Sequence, residues 1–327
     1  MRRPHRATYG LACELMAFAE QDGDPARLAV AHRAKGYSEL FLGRYADAEA
    51  TLGRGIELAG GEIPAERFAV YGEHPAVLCR VYRGWALAPL GRAREAAAMA
   101  AEGVAQARRL RNPHAVAWAL CCAALVHAFL REAATTSGLA EEALALATTH
   151  RLPQWGAWST FFAGWARSRS AEPASGLALM DVGRQAWRAT GAALSTTLLD
   201  GLLAEAHARQ GNREQARTHL DAAFAHHAAF DEAYVLAELH RIDAAVRELE
   251  QQPADAVRGA LARALEVARA QGVLGFAARA ACARADFERA QGRPDAARAV
   301  LDGAVSGAPA DGPDVAAARL LRAELVE

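Results

Sequence analysis

A Gly-Arg or Gly-Asn pair recurs along the chain at nearly even intervals, each time between two helix-like runs: Gly43-Arg44, Gly91-Arg92, Gly211-Asn212 and Gly292-Arg293. The first interval is 48 residues, the second 120, or three steps of 40, and the third 81, or two steps of about 40. Self-similarity at a period of about 20 to 50 residues marks a solenoid, in which each unit buries its apolar face only against its neighbours.

Alignment on these pairs exposes a finer pattern. Seven residues before each Gly, and five, nine and twelve after it, stand Gly36, Ala48, Leu52 and Gly55; Gly84, Ala96, Ala100 and Gly103; Ala204, Ala216, Leu220 and Ala223; Ala285, Ala297, Leu301 and Ala304. Small residues let two antiparallel helices approach where they cross, and the larger one fills the space beside the crossing. The Gly ends the first helix in a left-handed cap. Unmarked turns projected near 131 and 171 give Thr136, Ala140 and Ala143, then Gly176, Met180 and Gly183; a turn near 251 gives Ala256, Ala260 and Arg263, with Pro253 at the next helix start.

The spacing therefore predicts an all-α, right-handed superhelix of about seven hairpins. Their first helices start near 26, 75, 113, 154, 193, 231 and 273. A capping helix within 1–24 precedes the array at 25–307, and a second cap follows at 308–327. The first interval is lengthened by the stretch Gly60 to Pro75. This is either a functional loop or a gap between hairpins plugged by Phe68 and Tyr71.

Apolar residues make up 52% of the chain, enough for burial, and many are Ala, which favours helix. The formal net charge of −1 gives no basic excess for a phosphate backbone, so direct nucleic-acid binding is not expected. No apolar run reaches the roughly 18 to 20 residues of a membrane span. The short stretch Leu11 to Phe18 is interrupted by Glu14 and has no cleavage site, so no secretory signal is read. Cys13, Cys79, Cys121, Cys122 and Cys282 form no CxxC pair and read as buried thiols in a reducing cytoplasm.

The offsets match those of the tetratricopeptide repeat: Gly36, Gly43, Tyr45, Ala48, Leu52 and Gly55 take its small and large positions, while Lys35 and Glu39 depart from it. The period of 40 exceeds the repeat's usual length and implies longer helices. Across most of the chain, Ala31 to Leu58, Tyr71 to Pro75, Leu152 to Ala166, Arg188 to Asn212, Ala237 to Glu250 and Arg289 to Leu301 resemble the C-terminal helical region of a family of bacterial signalling proteins. In that family a class III adenylate/guanylate cyclase domain and a STAND-type ATPase precede tetratricopeptide-like repeats. No G-x-x-x-x-G-K-[ST] loop occurs here, so the resemblance implies the sensor or interaction arm without its cyclase and ATPase, and no catalytic residue is carried over.

In such a superhelix the first helices line the concave face. The inward phase selects Arg33 and Tyr37 from hairpin one, Trp85 from two, and Trp118 and Phe129 from three. It selects Trp158, Phe161, Trp165 and Arg169 from four, Glu205 and Arg209 from five, and Glu238 and Arg241 from six. Aromatic anchors beside Arg and Glu suit peptide or small-ligand recognition; the same aromatics equally suit the filling of a tightly curved superhelix. His219, His226 and His227 share a helical run, but their spacing spans two turns without a third ligand, so neither metal nor cofactor is expected. Neither Glu238-Leu239-His240-Arg241 nor the group Asp200, Glu205 and His207 comes with a nucleophile. The expected function is a non-enzymatic module that binds a protein, a peptide or a small signal. A self-associating scaffold and an enzyme using the superhelix interior are the alternatives.

Overall fold

The computed structural model describes residues 4–60, 66–69, 71–305 and 311–325. The boundary expected at 307/308 and Val70 of the linking stretch lie outside them. Every regular element among the described residues is a helix. A leading helix α1 (His5–Asp22) precedes hairpin one, made of α2 (Pro25–Phe41) and α3 (Tyr45–Ala59). The short α4 (Glu66–Ala69) lies in the connection to hairpin two, α5 (Pro75–Leu87) with α6 (Ala93–Arg109). Hairpins three and four are α7 (Pro113–Phe129) with α8 (Ala133–Thr149), and α9 (Pro153–Arg167) with α10 (Pro173–Ala189). Hairpins five and six are α11 (Thr196–Arg209) with α12 (Arg213–Phe230), and α13 (Leu236–Leu249) with α14 (Ala254–Ala270). Hairpin seven is α15 (Leu274–Ala290) with α16 (Pro294–Val305), and α17 (Pro313–Glu324) follows it.

Local chemistry sets the helix starts. Pro25, Pro75, Pro113 and Pro153 occupy the first helical turn, where a missing N–H costs nothing. Before three of them an acceptor side chain takes a free backbone N–H: Asp24 from Ala26 at 3.1 Å, His74 from Ala76 at 3.3 Å, and Asn112 from His114 at 2.9 Å. Gly43, Gly91, Gly211 and Gly292 end their helices at φ 74°, 85°, 78° and 70°. The residue after each donates to a carbonyl five positions back, as Arg44 does to Glu39 at 2.9 Å. The unmarked turns projected near 131 and 251 adopt the same shape without Gly: Arg131 has φ 60° and Gln251 φ 58°.

Small residues meet at the crossings as the spacing predicts. A Cβ on Gly36 would stand 2.6 Å from Leu52 Cγ, and one on Gly84 3.0 Å from the Ala96 carbonyl oxygen. Tyr45, Ala48 and Leu52 on one hairpin and Ala96 and Ala100 on the next are fully buried.

Hairpins five and six begin at Thr196 and Leu236, a few residues later than the expected 193 and 231. Ser195 and Asp231 each take φ 59° and redirect the chain. The fully buried Glu232 carboxylate holds the first bend, accepting from the Ser195 N–H at 3.1 Å and the Thr197 N–H at 3.2 Å. In the linking stretch Phe68 is buried against His74, whereas Tyr71 is exposed.

Periodicity leads one to expect an open trough. The coil instead returns onto itself, so that units far apart along the chain touch. The tip of hairpin one meets the start of hairpin six through Ala233 N–H to Phe41 O at 2.8 Å. The tip of hairpin two meets hairpin seven through Gly275 N–H to Pro89 O at 2.9 Å, and the residues just before α17 through Asp311 N–H to Gly91 O at 3.0 Å. The tip of hairpin three meets it through the Arg279 guanidinium to Phe129 O at 2.8 Å. Large rings fill this seam: Tyr234 lies 5.0 Å from Phe41 and 5.3 Å from Trp85, and Phe276 lies 5.7 Å from Phe129, centroid to centroid. Successive coils are thus joined by backbone bonds and a buried aromatic seam.

Candidate functional site

The residues selected by inward phase divide between two places. The first is an aromatic cavity of about 260 Å³ on the inner face of hairpins one to five. Arg33, Tyr37, Trp85, Trp118 and Trp158 all line it. The rings line the wall in two runs. Tyr37 lies 4.8 Å from Tyr82, Tyr82 is 6.5 Å from Trp118, and Trp118 stacks on Trp155 at 5.0 Å. Trp158 then meets Trp187 at 5.1 Å.

Two of the indoles are fixed by hydrogen bonds, Trp158 Nε1–H to Cys121 O at 3.1 Å and Trp187 Nε1–H to Leu194 O at 3.0 Å. Among the described residues Trp85 Nε1 and Arg33 Nε are buried donors without a hydrogen-bond acceptor, although the Arg33 guanidinium pairs with Glu73 of the linking stretch. Burial pushes the Tyr37 hydroxyl up, helped by Glu232, and pushes the Cys121 thiol up to about 12. Partial burial lowers His114 from its ordinary value. The cavity is apolar and presents protonated donors rather than a nucleophile.

This cavity does not stand alone. It shares His114 and Trp118 with a depression of about 270 Å³ that reaches Phe68 and Glu73. It shares His114, Gln154 and Trp155 with one of about 600 Å³. Through Gln154 and Leu194 it adjoins a fourth of about 400 Å³ beside His5 and Phe230. Together they make an elongated groove with an aromatic floor, from the linking stretch to α1 and the end of α12.

The second place is a chain of alternating charges. Arg169 pairs with Glu205 at 2.5 Å, and Glu205 with Arg241 at 2.6 Å. Arg241 pairs with Glu238 at 3.0 Å, and Glu238 with Arg279 at 2.8 Å. Arg279 pairs with Asp314 at 2.5 Å, and Asp314 with Arg131 at 3.3 Å. Phe129 and Trp165 lie beside it around a space of about 30 Å³, room for roughly one water. Arg169 also sits 4.5 Å above the Trp165 ring.

Burial alone would raise Glu205 and Glu238. Arg241 and Arg169 overcome it at Glu205 and hold that carboxyl well below the usual range, while Arg241 and Arg279 bring Glu238 down to about 2. The chain begins and ends on an arginine. Burial pushes Arg131 down to about 10, and lowers Arg169 as well. The four cations outnumber the three carboxylates, so the cluster ties hairpins three to seven and α17 together with one positive charge left over.

Two selected residues lie elsewhere. Phe161 was expected on the concave face. It is fully buried at the crossing of α9 and α10, where a Cβ on Gly183 would stand 2.5 Å from its backbone N, so it serves the hairpin rather than the groove. Arg209 is exposed at the end of α11. Trp85 faces the cavity, but it is only 3% exposed because Phe41 and Tyr234 enclose its other edges.

Inward phase missed Tyr82, Trp155, Trp187, Arg131, Arg279 and Asp314. One signal in the sequence does point to the two places: all six tryptophans line one or the other. No described helix is long and apolar enough to cross a membrane.

No family model matches the chain. An uncharacterized protein of Rhizobium meliloti (strain 1021), R02095, is 25% identical over 243 residues, which is 74% of this chain and 24% of that protein. The match thus spans about a quarter of that relative's length. Among solved structures, the Rap conjugation gene regulator of plasmid pLS20 in complex with the Phr* peptide superposes with a TM-score of 0.64 at 12% identity, over 92% of this chain and 76% of that one. The apo form of RapI gives 0.55 at 11% identity, over 90% and 99% of the two chains. A Rap protein complexed with competence and sporulation factor gives 0.57 at 12% identity, over 80% and 69%. At such identities the likeness is one of fold: an all-α array of tetratricopeptide-like hairpins.

Proposed function

We propose that the chain is a peptide-binding regulatory module whose ligand lies along the aromatic groove. The observation that carries this reading is the continuity of the groove. Four adjoining depressions offer an elongated site rather than a single small-molecule pocket, and its deepest part is walled by Tyr37, Tyr82, Trp118, Trp155 and Trp158. Rigid aromatic side chains lose little entropy on binding and bury much area, which suits them to anchor an apolar side chain of an extended ligand. The buried Arg33 and Trp85 donors suit an acceptor carried by that ligand, such as a backbone carbonyl. The binding of Phr* peptide and of competence and sporulation factor by proteins of this fold supports the same assignment.

The charge chain has a mechanical part in this reading. It couples hairpins three to seven, so a ligand that shifts hairpin three or four against its neighbours moves the coil as a body. Such an arm regulates an output domain in cis or a partner in trans. The resemblance to the helical arm of cyclase–ATPase signalling proteins, and a bacterial relative about four times longer than the matched stretch, support that context.

The test is a titration of the full chain with a library of short peptides, read by tryptophan fluorescence and confirmed by calorimetry. Peptides that bind are expected to bind at least tenfold more weakly to Trp118→Ala, a half-buried position, with circular dichroism as the folding control. Equal binding by wild type and by both Trp118→Ala and Trp155→Ala would remove the groove as the site.

A further inference from the structure

Three side chains from three successive helices converge away from the groove. Asp181 of α10, His207 of α11 and His219 of α12 each bring one donor atom to within 4.8 Å of the others. The two imidazole rings are nearly parallel, 12° apart, with centroids 5.4 Å from each other. His207 is buried, and Asp181 and His219 are half-buried, which leaves a way in from solvent.

A buried carboxylate stands beside His219. The Asp200 carboxylate lies 3.4 Å from His219 Nδ1 and is itself 4% exposed. Arg184 fixes it with two hydrogen bonds, at 2.9 and 2.8 Å. A carboxylate that accepts from Nδ1–H leaves Nε2 with a free lone pair, the arrangement that orients a metal-ligating histidine. His207 Nδ1 lies 3.4 Å from the side-chain amide nitrogen of Asn212, a donor, so this ring is held at Nδ1 as an acceptor and gives up its Nε2 proton when a metal binds there. With Asp181 and Asp200 against Arg184, the group carries one net negative charge before any ion enters.

We propose that Asp181, His207 and His219 form a binding site for a divalent transition metal of the zinc type, clamping the second helix of hairpin four to both helices of hairpin five. Two imidazoles and one carboxylate are the donor set of zinc rather than of magnesium or calcium, which take oxygen. Three protein ligands leave one tetrahedral position for water. The donor atoms must draw together to reach the metal–nitrogen distance of about 2.0–2.1 Å. Sequence spacing hid the site. His219 pairs by chain proximity with His226 and His227, but His226 faces Glu232 and His227 faces the Glu232 carbonyl, while the true neighbours of His219 come from other helices. The proposal is independent of the peptide groove.

The test is calorimetric titration of the metal-free full chain with zinc chloride, with cobalt(II) as a spectroscopic probe and circular dichroism as the folding control. Expected are one zinc per chain, a raised thermal midpoint in its presence, and intense visible cobalt bands of tetrahedral type. Asp181→Asn is expected to weaken binding at least tenfold and His219→Gln at least a hundredfold, both remaining folded, whereas His150→Gln at an exposed position binds as wild type. Absence of saturable binding near one equivalent, or zinc affinity and cobalt spectra unchanged in both Asp181→Asn and His219→Gln, overturns the proposal.

Discussion

The Tyr45 hydroxyl donates to the main-chain carbonyl of Tyr234, 189 residues further along, and joins the tip of hairpin one to the start of hairpin six. Both rings are fully buried. Burial holds the Tyr45 hydroxyl protonated far above neutral pH, so it remains a donor. Tyr45→Phe keeps the ring and removes the donor. A buried carbonyl that loses its partner costs about 1–3 kcal/mol. We expect a loss of that size in urea unfolding, together with faster amide exchange of Ala233, whose N–H bonds Phe41 across the same seam. Unchanged exchange there would show that the coils are held together by something other than this contact.

That seam also marks where the sequence stops being informative. Prolines, N-caps and left-handed turns act within a few residues, so the hairpin starts at Pro75 and Pro113 follow from local chemistry alone. Hairpin five drifts from its expected start because Glu232, from the connection to hairpin six, captures the Ser195 and Thr197 amides, and no local rule sees it. The pitch of the coil depends on contacts five hairpins apart, which a 40-residue period does not encode. The groove is therefore half legible. Inward phase finds Trp118 and Trp158 on first helices. It misses Trp187, which reaches the same cavity from the end of a second helix, and Asp314, which reaches the charge chain from the final helix. Phe161 is misplaced for the opposite reason: its position has an inward phase, but Gly176 and Gly183 let α10 come so close that the ring is enclosed in the hairpin.

The charge chain makes stability depend on acid. Glu238 titrates near 2 in the folded chain and Glu205 well below its ordinary value of 4.5. Carboxyls depressed by folding contribute stability above their unfolded value, and that contribution is lost as the pH falls towards the folded one. Stability is expected to be flat above about pH 5 and to fall between about pH 4.5 and 2. Glu238→Gln and Glu205→Gln should each be less stable at pH 7, by about 3–5 kcal/mol for breaking a buried pair, and should flatten the acid limb. Denaturant midpoints measured from pH 7 to 2.5 check both statements; an acid limb as steep in the variants as in wild type would dissociate these residues from it.

Not every arginine in the chain contributes equally. Arg279 sits inside it, between Glu238 and Asp314, and also donates to the Phe129 carbonyl. Arg131 ends it, pairs with Asp314 at 3.3 Å, is brought down to about 10 by burial and by Arg279, and stands at φ 60° where the equivalent turns carry Gly43, Gly91, Gly211 and Gly292. Arg279→Ala takes one partner from each of two carboxylates, leaving Glu238 to Arg241 and Asp314 to Arg131 alone, and frees the Phe129 carbonyl; breaking these buried pairs should cost about 3–5 kcal/mol. Arg131→Gly loses one long pair but relieves a left-handed turn worth about 1 kcal/mol and removes the surplus charge, so its net effect should lie within about 1 kcal/mol of zero. Unfolding curves of the two variants side by side decide this, and a cost for Arg131→Gly as large as that for Arg279→Ala would contradict the ordering.

Two glycines predict opposite signs for one substitution. Gly183 lies on α10, where an added Cβ would stand 2.5 Å from the Phe161 backbone N and 2.7 Å from its Cα. Backbone of a packed helix cannot step aside as a flexible side chain does, so Gly183→Ala forces α9 and α10 apart. Overpacking of this kind costs about 1–3 kcal/mol and more where backbone must move. Gly138 lies in the middle of α8 with nothing within 4 Å of an added Cβ. There Ala removes the entropy cost of a helical glycine and should stabilise the chain by about 0.5–1 kcal/mol. Equilibrium urea unfolding of the two variants should bracket the wild-type midpoint, Gly183→Ala below and Gly138→Ala above. If Gly183→Ala unfolds at the wild-type midpoint, the close approach of α9 and α10 that encloses Phe161 is wrong. Phe161 would then again be a candidate for the groove.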